Sequence, residues 1–351
     1  MNWFFFLYLV VQLIHYFHYQ NFNNFLSDTT QAFTFYIIFH VVLKHSDDNY
    51  RNSIIAGLLI TVALSSLISV YQFFVDTYFF RFGVERPAFG GIFRGNGVFL
   101  SDHIQAYFLI PAIFYILLFC KKSLLRDSIL ILMILGLIVS FHRMSIIAFI
   151  VLFLIYLVKI KNKSFKKVFV FFLIIGVIGY LSVKDSLLSS DIYQERISED
   201  TGTYRMLFIA IAIDGIINKP IIGQGTRFSP EYFNMVYAYG FGKETASGRG
   251  GGIHNSYLLL GYFQGVPVML LFIIFLIMTV KYFLKLFDLN NEQLYFFVSL
   301  HVIMFMLAGM TNGFIIGSEV GILMGISMAL GLKNYLMQKL YDISEVKNYN
   351  K

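Results

Sequence analysis

The 351-residue chain holds one cysteine, one tryptophan and five prolines, and only 13% of its residues are charged. The lone Cys120 excludes an internal disulfide, and no Cys/His spacing suits a structural metal site. Soluble domains carry about 25% charged residues. This chain has roughly half that, with 58% apolar residues and a mean hydropathy of +0.70. Those values exclude an ordinary soluble globular protein, and they exclude disorder, whose signature is low hydrophobicity. The net charge of +7 and pI near 9.2 do not indicate nucleic-acid binding. The basic residues are spread over loops between apolar blocks and do not form one face. There is no G-x-x-x-x-G-K-[ST] sequence, hence no P-loop, and no His/Asp/Glu cluster with metal-ligand spacing. Neither a metal nor another cofactor is expected.

What the chain does have is long apolar runs. A membrane span needs about 20 mostly apolar residues. Ten segments qualify: 3–19, 29–44, 53–75, 103–120, 127–141, 144–159, 168–184, 255–286, 293–310 and 318–338. No positive residue precedes the first, so it does not read as a cleavable signal peptide. The stretch 127–159 reads as a hairpin. One continuous helix would leave Arg143 near mid-membrane, which is costly. The fold class is therefore an all-α polytopic integral membrane protein, with 1–351 as a single membrane domain.

Loop charges set the orientation. One side gathers 14 Lys and 2 Arg, the other 3 Lys and 8 Arg, so the lysine-rich side is assigned to the cytoplasm, with both termini. The outer arginines are Arg81, Arg86, Arg94, Arg143, Arg196, Arg205, Arg227 and Arg249. Lysine suits the positive-inside role, whereas arginine grips phosphate or carboxylate with a planar fork. For any one of these arginines, pairing with an outer carboxylate such as Asp76, Glu85 or Asp102 is the simpler reading. For the set of eight, an anionic ligand at the outer membrane face explains more.

Two outer loops are long. The first, 76–102, is turn-rich, with five glycines and Pro87. The second, 184–253, is 70 residues long, and a loop of that length suggests function. Its run MLFIAIAIDGII is too short to span; with Thr201 or Thr203 as N-cap it forms a short interfacial helix. Gly223-Gln224-Gly225 marks a turn, Asp47-Asp48 a solvated turn, and ASGRGGG (246–252) a flexible segment. His301, inside an apolar run, reads as a packed, hydrogen-bonded residue. Glu319 opens the last helix and suits the positive end of its dipole.

Three local patterns occur in order: SFHRM at 140–144; TGTYR at 201–205 followed by KPIIGQGTRF at 219–228; and HNSYL at 254–258. Together they resemble the membrane domain shared by bacterial O-antigen ligases and Wzy-type O-antigen polymerases, over roughly 140–275. In that family an arginine ends an "SR" hairpin turn, a "GR" arginine opens the large periplasmic loop before an "xP(L/I)xGxG" turn, and "HNxxL" leads back into the membrane. The segment 88–99 is similar to the family's "GxFxxxN". Here His142 stands where the family has Ser, Thr203-Tyr204 precede Arg205, and the N-terminal part is short by one or two helices.

The resemblance implies a GT-C-like, metal-independent inverting glycosyltransferase. Its donor would be an undecaprenyl-pyrophosphate-linked glycan, held in an apolar, lipid-open groove. Its acceptor would be a lipid-linked repeat unit or lipid A–core, and a chain-length regulator is a possible partner. The leaving pyrophosphate gains negative charge, and without a metal arginines must stabilise it. The resemblance points to Arg143 and Arg205, with Arg94, Arg227 and Arg249 in support. Imidazole, with its ordinary pKa of about 6.5, suits a general base or a hydrogen-bonding orienter. His254 is the matching residue, and Asn255 beside it would fix a sugar hydroxyl or the backbone. Glu319 is the alternative base. The polymerase is preferred over the ligase because no extra soluble domain is appended. The reading from another class is a lipid-linked sugar transporter, but transporters place charge mid-helix, and here polar residues gather in one outer loop.

Overall fold

The computed structural model of the protein describes residues 2–20, 22–45, 48–83, 85–89, 92–160, 199–225, 253–312 and 318–349. Among these are eleven helices: α1 (Asn2–Tyr19), α2 (Phe22–His45), α3 (Asp48–Phe74), α4 (Asp102–Phe119), α5 (Leu124–Val139), α6 (Arg143–Lys159), α7 (Glu199–Asn218), α8 (Ser256–Gln264), α9 (Val266–Asn290), α10 (Gln293–Gly309) and α11 (Glu319–Tyr349). A small antiparallel pair, β1 (Pro87–Phe89) and β2 (Ile92–Phe93), lies between α3 and α4, with Pro87 opposite Phe93.

Among the described residues, four helices are long and apolar enough to cross a membrane: Arg51–Phe74, Asp102–Phe119, Val266–Asn290 and Glu319–Lys339. The protein is a multi-pass membrane protein. Most other expected spans correspond to shorter helices; 168–184 lies outside the described residues, as do the lysines of 161–167.

α10 is the axis of the bundle. It is buried on all sides through Tyr295, Phe296, Val298, Met304 and Phe305. α4, α6, α9 and α11 pack around it, with α2 outside α11 and α3 outside α4. Helices apolar all round are what a lipid-embedded core requires. Their ends are fixed locally. Ser101 Oγ accepts from Ile104 N, Ser123 Oγ caps α5, and Asn291, with φ of 54°, closes α9. Polar turns meet at both ends of the bundle. At one, Lys159 pairs with Asp288 at 2.8 Å. At the other, residues 94–102, 140–143, 254–256 and 310–312 converge.

The hairpin read at 127–159 is present, as α5 and α6 joined by residues 140–142. Its arms diverge. α5 lies along α3, α6 lies along α10, and α4 contacts both.

The single helix expected over 255–286 is broken. Gly265 adopts φ 88° and ψ 165°, a region open essentially to glycine alone, and a Cβ there would strike the Ile221 carbonyl. α8 and α9 fold against each other about this point, bringing Tyr257 within 6.2 Å of Phe272. Pro267 starts α9 without needing a backbone donor.

The short helix expected in the large outer loop is longer than expected. α7 begins at Glu199, so Thr201 and Thr203 lie inside it and do not cap it. Phe208, Ile211 and Ala212 of α7 form a second small core with Ile253, Tyr262 and Phe263. The segment 219–225 closes this unit. Gln224 N donates to Tyr262 O at 2.7 Å, Gly225 N to Phe263 O at 2.9 Å, and Val266 N to Pro220 O at 2.8 Å. Gly223-Gln224-Gly225 is indeed a turn, clasped by Tyr19, whose hydroxyl donates to Gly223 O.

Candidate functional site

The segment 76–102 is held to the bundle chiefly by one glutamine. Gln72 Oε1 accepts from Asn96 N at 3.0 Å and Gly97 N at 2.9 Å; its Nε2 donates to Phe79 O at 2.8 Å and Gly97 O at 3.0 Å. Gly97, at φ 57°, lies against Ser65, leaving no room for a side chain. Val98 N donates to Ser65 Oγ, and Gly95 N to Val139 O, so the loop also meets the end of α5.

This anchoring delivers Arg94 to the start of α4. Its Nη1 lies 2.7 Å from Asp102 Oδ2, and Arg86 Nη1 lies 3.3 Å from Asp102 Oδ1. Asp102 is only 3% exposed. A carboxylate this buried needs a partner, and it has two guanidinium groups. Arg94 thus takes the outer-carboxylate pairing read as the simpler one for a single arginine. Arg86 shares the carboxylate, so one positive charge of the trio is not neutralised within it. His103 Nδ1 lies 3.9 Å from Asp102 Oδ1, and its Nε2 lies 3.3 Å from Ser101 Oγ.

The hairpin tip comes next. His142 is the N-cap of α6: its Nδ1 accepts from Ser145 N at 3.3 Å and lies 3.1 Å from Ser145 Oγ. Its ring meets Tyr107 edge-on at 5.4 Å and His103 at 5.9 Å. Burial, with Arg94, Arg86 and His103 adding and Asp102 opposing, pushes the imidazole down to about 4, so His142 is neutral at pH 7. A neutral ring is what lets Nδ1 accept the capping bond. Arg143 is the first residue of α6; it is exposed and makes no ion pair among the described residues.

The third motif is tied to the same end. Asn255 caps α8, its Oδ1 accepting from Tyr257 N and Leu258 N at 3.0 Å each, and its Nδ2 donates to Met310 O at 3.0 Å. Of the two uses read for Asn255, the side chain makes the backbone one. Ser256 Oγ donates to Asn312 O at 2.7 Å, and Asn312 Nδ2 donates to Tyr107 Oη at 3.2 Å. A continuous path of contacts therefore runs from His254–Ser256 through Asn312 and Tyr107 to His142, His103 and Asp102. His254 is exposed at the mouth of this path.

Arg205 is carried on α7, whose buried face rests on α8. Arg227 and Arg249 lie outside the described residues, as does Arg196. Glu319 opens α11 as expected. His301 is buried with Nδ1 2.7 Å from Ser327 Oγ, the packed role read for it. Asp102, His103, Tyr107 and Asn312 were not singled out as site residues by sequence. Ser101-Asp102-His103 at a helix start was the available signal. Tyr107 and Asn312 give none, because only the fold brings them together.

Between α3, α4, α10 and α11, from mid-bundle toward the opposite end, lies a small apolar cavity of about 60 Å³, lined by Leu59, Val62, Phe108, Pro111, Phe297 and Leu323 among others.

These features define a multi-pass membrane protein with an arginine-rich polar site at one end of its bundle. Residues 128–273 match the family model described as O-antigen ligase. The match spans Arg143, Arg205, Arg227, Arg249, His254 and Asn255 and leaves Arg94 outside. A comparison with curated proteins finds no match.

Proposed function

We propose that the protein polymerises undecaprenyl-pyrophosphate-linked repeat units into O-antigen or capsular polysaccharide at the periplasmic face of the inner membrane. The observation that carries this reading is the meeting of the hairpin tip His142-Arg143 with the His254–Ser256 segment, joined through Asn312 and Tyr107. These are two of the three motifs on which the resemblance rests, more than a hundred residues apart in sequence.

The chemistry is an inverting displacement. The acceptor oxygen bonds to the anomeric carbon as the carbon–oxygen bond to the pyrophosphate breaks, and the electron pair leaves on phosphate. Arg143 and Arg205 stabilise that charge, with Arg94, Arg227 and Arg249 adding to the local potential. His254 takes the proton of the acceptor hydroxyl as general base, and Asn255 holds the segment that carries it. The apolar, lipid-open faces of the helices accommodate the polyprenyl chain. 76–102 and 184–253 act as the outer loops of the single membrane domain.

The match to a family described as O-antigen ligase favours a second reading, transfer of the finished glycan to lipid A–core. Gels of surface glycan and lipid-linked intermediates from a deletion strain separate the two. Lipid A–core bearing one repeat unit means polymerase. Long lipid-linked chains beside bare lipid A–core mean ligase. No change in either pool removes both and favours the transporter. Arg205→Ala and His254→Ala should abolish extension with protein still in the membrane, and activity should survive EDTA. Activity lost to EDTA and restored by Mg²⁺ would count against the arginine mechanism.

A further inference from the structure

We propose that His142 is a positioning residue for Arg143: by capping α6 it fixes the first helical residue, and with it the guanidinium that meets the anionic part of the donor. This rests on the transferase reading above.

A helix start leaves backbone donors without partners, and Ser, Thr, Asp or Asn usually supplies the acceptor. Here an imidazole does so. His142 Nδ1 takes Ser145 N, while the His142 carbonyl accepts from Ile146 N at 3.2 Å and Ser145 Oγ at 2.8 Å. The accepting role of Nδ1 places the ring hydrogen on Nε2. The ring cannot swing outward without giving up the cap, and it packs beside Tyr107 and His103. The turn is fixed on its other side as well. Phe141 sits at φ 48°, uncommon for a bulky residue, and its ring stacks on Phe73 at 5.5 Å. Arg143 therefore leaves a turn clamped to α3 through Phe141 and to α4 through His142. The groups facing the imidazole from α4 and the first outer loop are Tyr107, His103, Asp102, Arg94 and Arg86. The same residue that caps α6 thus also packs on the Arg94–Asp102 cluster.

The test measures glycan extension by full-length purified variants, using lipid-linked glycan extracted from the deletion strain. His142→Ala is expected to lower turnover by about tenfold to a hundredfold, the scale of a small misplacement of a reacting group. His142→Ser, which restores a cap without the ring, is expected to recover most of it. In an Arg143→Ala background, adding His142→Ala is expected to change nothing further, because there is no arginine left to aim. Wild-type turnover in His142→Ala, no recovery in His142→Ser, or an undiminished effect of His142→Ala in the Arg143→Ala background each overturns the proposal. If His142→Ala does not accumulate, His142→Ser and His142→Asn decide. Recovery in both supports the positioning role and loss in both overturns it. Full turnover in Arg143→Ala alone removes the reading of Arg143 itself, which is a separate failure.

Discussion

The side-chain amide of Asn312 donates to the hydroxyl of Tyr107 at 3.2 Å, joining residues 205 positions apart. Asn312 also donates to Ala308 O and Thr311 Oγ1 and accepts from Ser256 Oγ through its carbonyl. One asparagine thereby connects α4, α8 and the end of α10. Asn312→Ala should destabilise the fold by about 1–2 kcal/mol, the range for buried hydrogen bonds lost with a partner left behind. Tyr107→Phe should cost less, and the double variant should be less than additive. Thermal unfolding in detergent measures all three; full additivity would show that the two residues do not interact.

Gln72 makes four hydrogen bonds to the segment 76–102. Gln72→Leu keeps the volume and strands the Asn96 and Gly97 amides. Each buried amide without a partner costs about 1–3 kcal/mol. The expected result is faster proteolysis within 76–102 and a lower melting temperature. An unchanged cleavage pattern would refute the anchoring role.

Gly265→Ala forces a side chain into a backbone region that is essentially glycine's, and into the Ile221 carbonyl. A loss of about 2–4 kcal/mol is expected from strain and overlap together. Gly261→Ala is not an adequate control, since its site is also crowded. Gly57, with nothing within 4 Å, is one, and Gly57→Ala should be tolerated.

The native pKa of His142, about 4, lies below the ordinary 6.5, so the unfolded chain takes up the proton first. Its contribution is whole above pH 6.5, declines as pH falls from 6.5 toward 4, and amounts to on the order of 3 kcal/mol. Melting curves from pH 7.5 to 4.5 should show wild type losing stability faster than His142→Ser. Parallel curves would contradict the buried neutral imidazole.

The sequence was informative where a physical penalty left few alternatives. Arg143 could not sit mid-membrane, so 127–159 had to turn near it, and it does. It was less informative where apolarity concealed geometry. The run 255–286 is continuous in hydropathy, and Gly265 with Pro267 did not by themselves announce a reversal. The cap of α6 was hidden for another reason. Histidine is not among the common N-caps, so its place before Arg143 read as a departure from the family pattern, whereas its ring nitrogen does what a serine hydroxyl does. The start of α7 was misplaced at Thr201 or Thr203 because good capping residues also occur inside helices. Arg94 was read as a substrate contact, with pairing as the simpler alternative; only the fold brings the loop over Asp102.

The divergence of α5 and α6 gives the three residues between them a mechanical role. Because each arm belongs to a different packing layer and α4 touches both, residues 140–142 act as a strap of fixed length across the bundle. A strap of three residues reaches roughly 10 Å when taut. The number of residues in the turn therefore limits how far the two arms can separate at this end, while α4, which touches both, holds their spacing. An inserted residue would slacken the crossing and a deleted one would draw the layers together.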